Sequence, residues 1–214
     1  MKSAFKIIGI AILLVVVVAG FYFYVGLPDV SDLKTKNPRS TALMVQRYRE
    51  AKNVDATFRI RQKWIELEAI PKLLRETVRV TEDASFYQHK GVDFAELKEA
   101  IKKNWAKKEY ARGASTITQQ LAKNYFLSPA RTVTRKLKEI LLSLVMELKY
   151  GKKEILEIYL NEIYLGQKGS VAINGVGEAA YFYFGKPVKK LTLSEAAVMA
   201  GLIKAPNHYS PYRD

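Results

Sequence analysis

Residues 132–150 read TVTRKLKEILLSLVMELKY, and this stretch decides the fold class. Val133, Leu137, Ile140, Leu141, Leu144, Val145 and Leu148 recur with the period of a helix and are expected to form its buried stripe. Gly151 follows and can end the helix. The same period returns on both sides. Toward the C-terminus, Lys153 to Leu165 predicts a helix burying Ile155, Leu156, Tyr159, Leu160 and Ile163. An Ala-rich helix then starts at the capping-box pair Thr192 and Glu195 and stops before Pro206. Toward the N-terminus, Thr116 and Gln119 have capping-box spacing for a helix through Asn124. Asp93 can cap a helix carrying Phe94, Leu97, Ile101 and Trp105. Pro71 suits the first turn of a helix whose apolar stripe, Leu73, Leu74 and Val78, leads to Glu82. A short helix is expected over 41–50, and Phe58 to Leu67 reads as extended. The class is mainly α.

At 214 residues the chain holds one domain with a real core and a small accessory element. It has no cysteine, which excludes a disulfide framework and cysteine–zinc sites. His89 and His208 are too few for a histidine-rich metal centre. A net charge of +14 calls for an anionic partner: nucleic acid, anionic lipid or a phosphorylated substrate. Residues 7–25, IIGIAILLVVVVAGFYFYV, discriminate among these, because they carry no charge. As a helix they would span a hydrocarbon core of about 30 Å, with Phe21 to Tyr24 as an interfacial aromatic belt. A cleaved signal peptide is the alternative, but the apolar run exceeds the usual length of about 7–15 residues. Lys2 and Lys6 favour a cytoplasmic N-terminus (residues 1–6), yet Lys34, Lys36 and Arg39 follow the span, so charge alone leaves orientation open. Residues 26–57 read as a linker with a short helix, and 58–214 as the main domain.

Three blocks carry the candidate chemistry. The first, residues 81–93 (TEDASFYQHKGVD), puts the carboxylates Glu82 and Asp83 at the end of an apolar helix, and Glu82 is the candidate general base. Read alone, an acidic pair can simply end a helix. His89 is expected to shape the loop around Glu82, with Gly91 supplying a backbone conformation that a side chain resists. The second block, residues 112–124 (RGASTITQQLAKN), opens a helix at Ser115 and Thr116, whose free N–H groups favour anions such as pyrophosphate. Gln119, Gln120, Lys123 and Asn124 extend its polar face. The third, residues 135–139 (RKLKE), sets Glu139 among Arg131, Arg135, Lys136 and Lys138, with Arg135 and Glu139 spaced to pair along one face. Lys98, Lys102, Lys103, Lys107 and Lys108 lie beside Phe94, Trp105 and Tyr110. That helix can rest on an anionic membrane surface or pack its stripe on the core.

In order and type, these blocks resemble the signature blocks of the bacterial peptidoglycan glycosyltransferases, or transglycosylases, from about Trp64 to Pro211. The run 153–162 (KEILEIYLNE), Gly175-Val176, Ala179-Ala180, residues 183–186 (YFGK) and residues 204–207 (KAPN) extend the likeness. The resemblance implies a lysozyme-like domain preceded by a single transmembrane helix, with a membrane-facing jaw at about 94–112. It implies a single-pass protein of the bacterial inner membrane whose catalytic domain lies on the periplasmic or extracellular side. The implied reaction polymerises lipid II by inverting glycosyl transfer and releases undecaprenyl pyrophosphate. The family's catalytic glutamate falls on Glu82 and its second glutamate on Glu139. Substrate-binding positions fall on Ser115, Gln119, Gln120, Lys123 and Arg131, with Asp83 and Arg135 counted among them. No protein metal site and no required cofactor are implied, although Mg2+ or Mn2+ can assist at the pyrophosphate. The expected partners are lipid II, the lipid-linked glycan strand, membrane lipids and cell-wall synthesis proteins, with no nucleic acid. Two alternatives stay open: the glycosyltransferase half of a truncated bifunctional penicillin-binding protein, and a lytic peptidoglycan hydrolase, against which the clustered cations argue.

Overall fold

The computed structural model describes the chain except residues 1–5, 8, 11–12, 15–19, 21–24, 35–39, 108–114, 131, 207 and 213–214; the side chains of 32, 34, 101 and 103–107 are likewise outside the description. Among the described residues no helix is long and apolar enough to cross a membrane. The expected span over 7–25 lies largely outside them.

The body is mainly helical: α1 (Ala42–Lys52), α2 (Lys72–Glu82), α3 (Phe94–Lys107), α4 (Ile117–Phe126), α5 (Val133–Lys149), α6 (Lys152–Glu162), α7 (Val176–Phe184) and α8 (Leu193–Lys204). A small sheet completes it, with strands β1 (Arg59–Gln62), β2 (Tyr164–Lys168) and β3 (Val171–Asn174) in the order β1-β3-β2. β1 runs parallel to β3, and β2 pairs antiparallel with it. The core forms where α4 packs on α5 and α6, around Ile117, Leu121, Leu142, Met146, Leu156, Tyr159 and Leu160.

Capping chemistry sets most helix starts. Thr116 with Gln119, and Thr192 with Glu195, form the anticipated capping boxes, and the Asp93 carboxylate accepts the Glu96 N–H at 2.9 Å. α2 ends at Glu82 with Leu74 and Val78 fully buried, while Leu73, expected in the same stripe, is 40% exposed.

The decisive helix is correct in type and rotated in face. On α5 the inward positions are Glu139, Leu142, Ser143 and Met146, whereas Val133 and Leu148 are 78% and 87% exposed. Leu137 is exposed too. The inner row holds two polar residues, so counting apolar positions alone selects the wrong face. Ser143 tolerates burial because its hydroxyl donates to the Ile140 carbonyl at 2.7 Å.

The predicted helix over 153–165 stops at Glu162, because Ile163 turns extended and Tyr164 begins β2. All five of its predicted buried residues are buried. The stretch read as a linker is partly built into the body. Val30 and Leu33 lie in the main core, and the Tyr150 hydroxyl donates to the Val30 carbonyl. Asn161 ties the strand region to α6: its amide donates to the Ile65 carbonyl (2.8 Å) and accepts the Ile65 N–H (2.7 Å).

Candidate active site

The first block folds around Asp83, which is 3% exposed. Its carboxylate lies 3.0 Å from His89 Nε2 and accepts the Ile117 N–H, also at 3.0 Å, at the start of α4. His89 Nδ1 accepts the Gly91 N–H at 3.2 Å, so the ring proton sits on Nε2 and is donated to Asp83. Gly91 adopts φ 87°, and its carbonyl accepts the Thr116 hydroxyl at 2.7 Å. A Cβ at Gly91 would lie 2.8 Å from the Ser143 carbonyl oxygen, so the glycine also permits close packing against α5. These contacts lock the first block onto the second and against α5.

Glu82, one residue earlier, is half-buried and points elsewhere. Its Oε2 accepts Gln120 Nε2 at 2.9 Å, and Gln120 Oε1 accepts the Tyr159 hydroxyl at 3.2 Å. Tyr159 is fully buried. Burial, then the carboxylates of Glu82, Glu162 and Asp83, push its phenol well above the usual range, so it stays a donor and fixes the Gln120 amide.

Glu139 is 2% exposed and pairs with Arg135 Nη1 and Lys136 Nζ. Lys136 also donates to Ser115 Oγ at 3.0 Å, which brings the second and third blocks together. Lys123 belongs to this group. Burial holds its ammonium below the usual lysine range, against the pull of Glu139 and Glu162 and with the push of Arg135 and Lys136.

The predicted residues therefore sort into three settings. Glu82 with Gln120, and Glu139 with Lys123, Arg135 and Ser115, gather along the polar face of α4. Gln119 is 2% exposed and its side chain closes the capping box by accepting the Thr116 N–H at 3.2 Å. Asp83 accepts from His89 and Ile117, so both Gln119 and Asp83 help to hold the loop and the helix start. Arg131 lies outside the described residues. Among the described residues no three acidic or imidazole groups converge on a metal site.

Two contributors were missed as site residues, Tyr159 and Glu162. Both sit in the 153–162 run, where they read as helix-forming residues, and only the crossing of α4 over α6 turns them toward the site. Glu162 Oε1 accepts the Thr41 hydroxyl (3.2 Å) and Oε2 accepts Asn124 Nδ2 (3.3 Å). Burial pushes its carboxyl up to about 7, opposed by those two bonds and by Lys123 and Arg47.

Against known proteins, a family model described as "Transglycosylase" matches residues 50–214. The chain belongs to the transglycosylase family. It is 45% identical over 150 residues to penicillin-binding protein 1B of Haemophilus influenzae, covering 70% of this chain and 19% of that protein. Penicillin-binding protein 1A of Vibrio cholerae is 44% identical over 203 residues, 94% of this chain and 24% of that protein. The biosynthetic peptidoglycan transglycosylase of Nitrosomonas eutropha is 39% identical over 180 residues, 84% of this chain and 72% of that protein. The chain thus spans a quarter or less of these two penicillin-binding proteins and nearly three quarters of the third relative.

Proposed function

We propose that this transglycosylase polymerises lipid II into peptidoglycan glycan strands and releases undecaprenyl pyrophosphate. One observation carries the reading: a single face of α4 offers Gln120 to Glu82 and, one turn on, Lys123 to the cations around Glu139. A base and a cation cluster are thus served by one helix face, as suits glycosyl transfer from a diphosphate.

In the proposed reaction, Glu82 takes the proton of the incoming lipid II sugar 4-hydroxyl. The new bond forms between that oxygen and the anomeric carbon of the lipid-linked strand. The anomeric carbon–phosphate oxygen bond breaks on the opposite side, which inverts configuration. Lys123 and Arg135, with Arg131, meet the charge that develops on the departing pyrophosphate. Gln120 orients Glu82 under the control of Tyr159, and Glu139 keeps Arg135 and Lys136 in place. Mg2+ or Mn2+, when carried on the diphosphate, would supply further charge neutralisation.

The same reading gives residues 58–214 a lysozyme-like glycosyltransferase domain, with a membrane-facing jaw near 94–112. Phe94, 71% exposed at the start of α3, supports that placement. Residues 7–25 are proposed as a single-pass anchor in the bacterial inner membrane, with residues 1–6 cytoplasmic and the catalytic domain outside. Other cell-wall synthesis proteins are the natural partners there.

Labelled lipid II incubated with the protein in liposomes tests the proposal. Long glycan is expected from the native chain. Glu82→Gln should lose roughly 10²–10⁴-fold in rate while remaining folded, and Glu139→Gln should be strongly impaired. No polymer from folded, reconstituted native protein, or shortening of existing strands, would overturn it.

A further inference from the structure

A cavity of about 420 Å³ opens beside the Glu82–Gln120 pair. Gln120, Lys123 and Asn124 of α4 form one wall, and Leu43 and Arg47 of α1 form another. Tyr159 and His208 also line it. Nearly all of α1 precedes the family-matched region, which begins at residue 50. The family model therefore does not cover most of it, although the likeness to penicillin-binding protein 1A of Vibrio cholerae, over 94% of this chain, runs through it.

Arg47 is held in place by stacking, and one of its donors is unspent. Its guanidinium carbon lies 3.5 Å from the centre of the Tyr164 ring, a stacking contact that fixes the plane. Its Nε is shut off from solvent and meets no acceptor among the described residues. Glu162 feels the Arg47 charge, while its oxygens accept from Thr41 and Asn124. Those same bonds tie the start of α1 to α4 and α6. Across the cavity stands Lys123, a cation that burial has partly stripped of water. Two cations facing one cavity, one a planar fork held by stacking, form a receptor for an oxyanion.

We infer that Arg47 and Lys123 form a binding subsite for an oxyanion of the substrate, a phosphate or a carboxylate, and that α1 is a working wall of the enzyme. The identity of the substrate rests on the transglycosylase reading above; the anion subsite itself rests on the cavity. Lipid II offers both sources, its diphosphate and the carboxylates of its stem peptide. Arg47 serves in binding and takes no part in the chemical step, so its loss weakens affinity and leaves turnover nearly intact.

The test uses the full chain in detergent with Arg47→Ala and Arg47→Gln, the latter keeping side-chain length over Tyr164. Calorimetric titration with inorganic pyrophosphate forms one arm. Polymerisation kinetics on lipid II with free or amidated stem-peptide carboxylates form the other. If the diphosphate is the anion, both variants lose pyrophosphate affinity roughly tenfold, and KM rises alike on both substrates. If a carboxylate is the anion, pyrophosphate binding is unchanged, and KM rises roughly tenfold only on the free-carboxylate substrate. In either case kcat and the melting temperature stay near native values. Folded variants with native pyrophosphate binding and native KM on both substrates would overturn the inference, as would a shift confined to the pH dependence of stability, which would mark Arg47 as a counter-charge to Glu162. If the native chain makes no polymer, the functional reading fails alone. Titration with inorganic pyrophosphate and with the free stem-peptide carboxylate then judges the subsite, and equal binding of both by native and variant protein overturns it.

Discussion

Removing the Asp83 carboxylate separates an organising role from a substrate-binding one. In the native fold it receives the His89 Nε2 proton and the Ile117 N–H, each at 3.0 Å, inside a site only 3% exposed. Asp83→Ala leaves both donors buried without an acceptor, at about 1–3 kcal/mol each. The sum, roughly 2–6 kcal/mol, is a large share of the 5–15 kcal/mol that typically holds a domain together. His89 cannot escape by changing tautomer, because a proton on Nδ1 would confront the Gly91 N–H at 3.2 Å. Asp83→Asn should cost much less, since one amide oxygen in the place of Oδ2 still faces both donors. Urea unfolding in detergent reads the difference, and thermal melting should show Asp83→Ala lower by roughly 5–20 °C. An Asp83→Ala protein with native stability and collapsed activity would refute the reasoning and make Asp83 a substrate ligand instead.

Three further outcomes follow from the same geometry. Gly91→Ala forces a left-handed backbone, at about 1–2 kcal/mol, and drives a Cβ to 2.8 Å from the Ser143 carbonyl oxygen; thermal melting should show a clear loss of stability, while a native melting temperature would contradict the packing. Tyr159→Phe removes the hydroxyl that fixes Gln120, so kcat should fall about 3–10-fold with KM little changed, consistent with one hydrogen bond of about 1 kcal/mol. Glu162 should make stability fall as pH rises from about 4.5 to about 7, because the folded carboxyl, raised to about 7, still holds a proton that the unfolded one, near 4.5, has released. The groups facing it are Thr41, Asn124, Lys123 and Arg47, and Glu162→Gln should flatten that slope in urea titrations at several pH values.

Much of the site was legible because its polar residues stand in short local blocks. Thr116 with Gln119, Asp93 before α3, and Arg135 with Glu139 act at spacings of three or four, which sequence displays directly. What failed was long-range. The buried face of α5 contains Glu139 and Ser143, so its polarity hid it from an apolar count. β2 follows α6 with only Ile163 between, and the pairing of β3 with β1 joins segments far apart in the chain, which periodicity cannot signal. Asp83 and Gln119 stand among the substrate-binding positions on the family resemblance, and the structure adds that each also accepts from a backbone N–H, of Ile117 and of Thr116. A backbone donor needing an acceptor leaves no trace in side-chain identity.

Around α4 three acidic residues meet different partners within one small volume. Glu82 meets an amide, Glu139 meets an arginine and a lysine, and Glu162 meets an amide and a hydroxyl in a fully buried position. Gln120, Lys123 and Asn124 lie at helical offsets of three and four, so one helical face addresses all three carboxylates. The helix cannot rotate without disturbing every contact, and its start is pinned through Asp83, Gly91 and Thr116. A substitution at that start should therefore reach activity through the register of α4, lowering turnover in step with the Glu82–Gln120 contact even though the mutated atom touches no substrate.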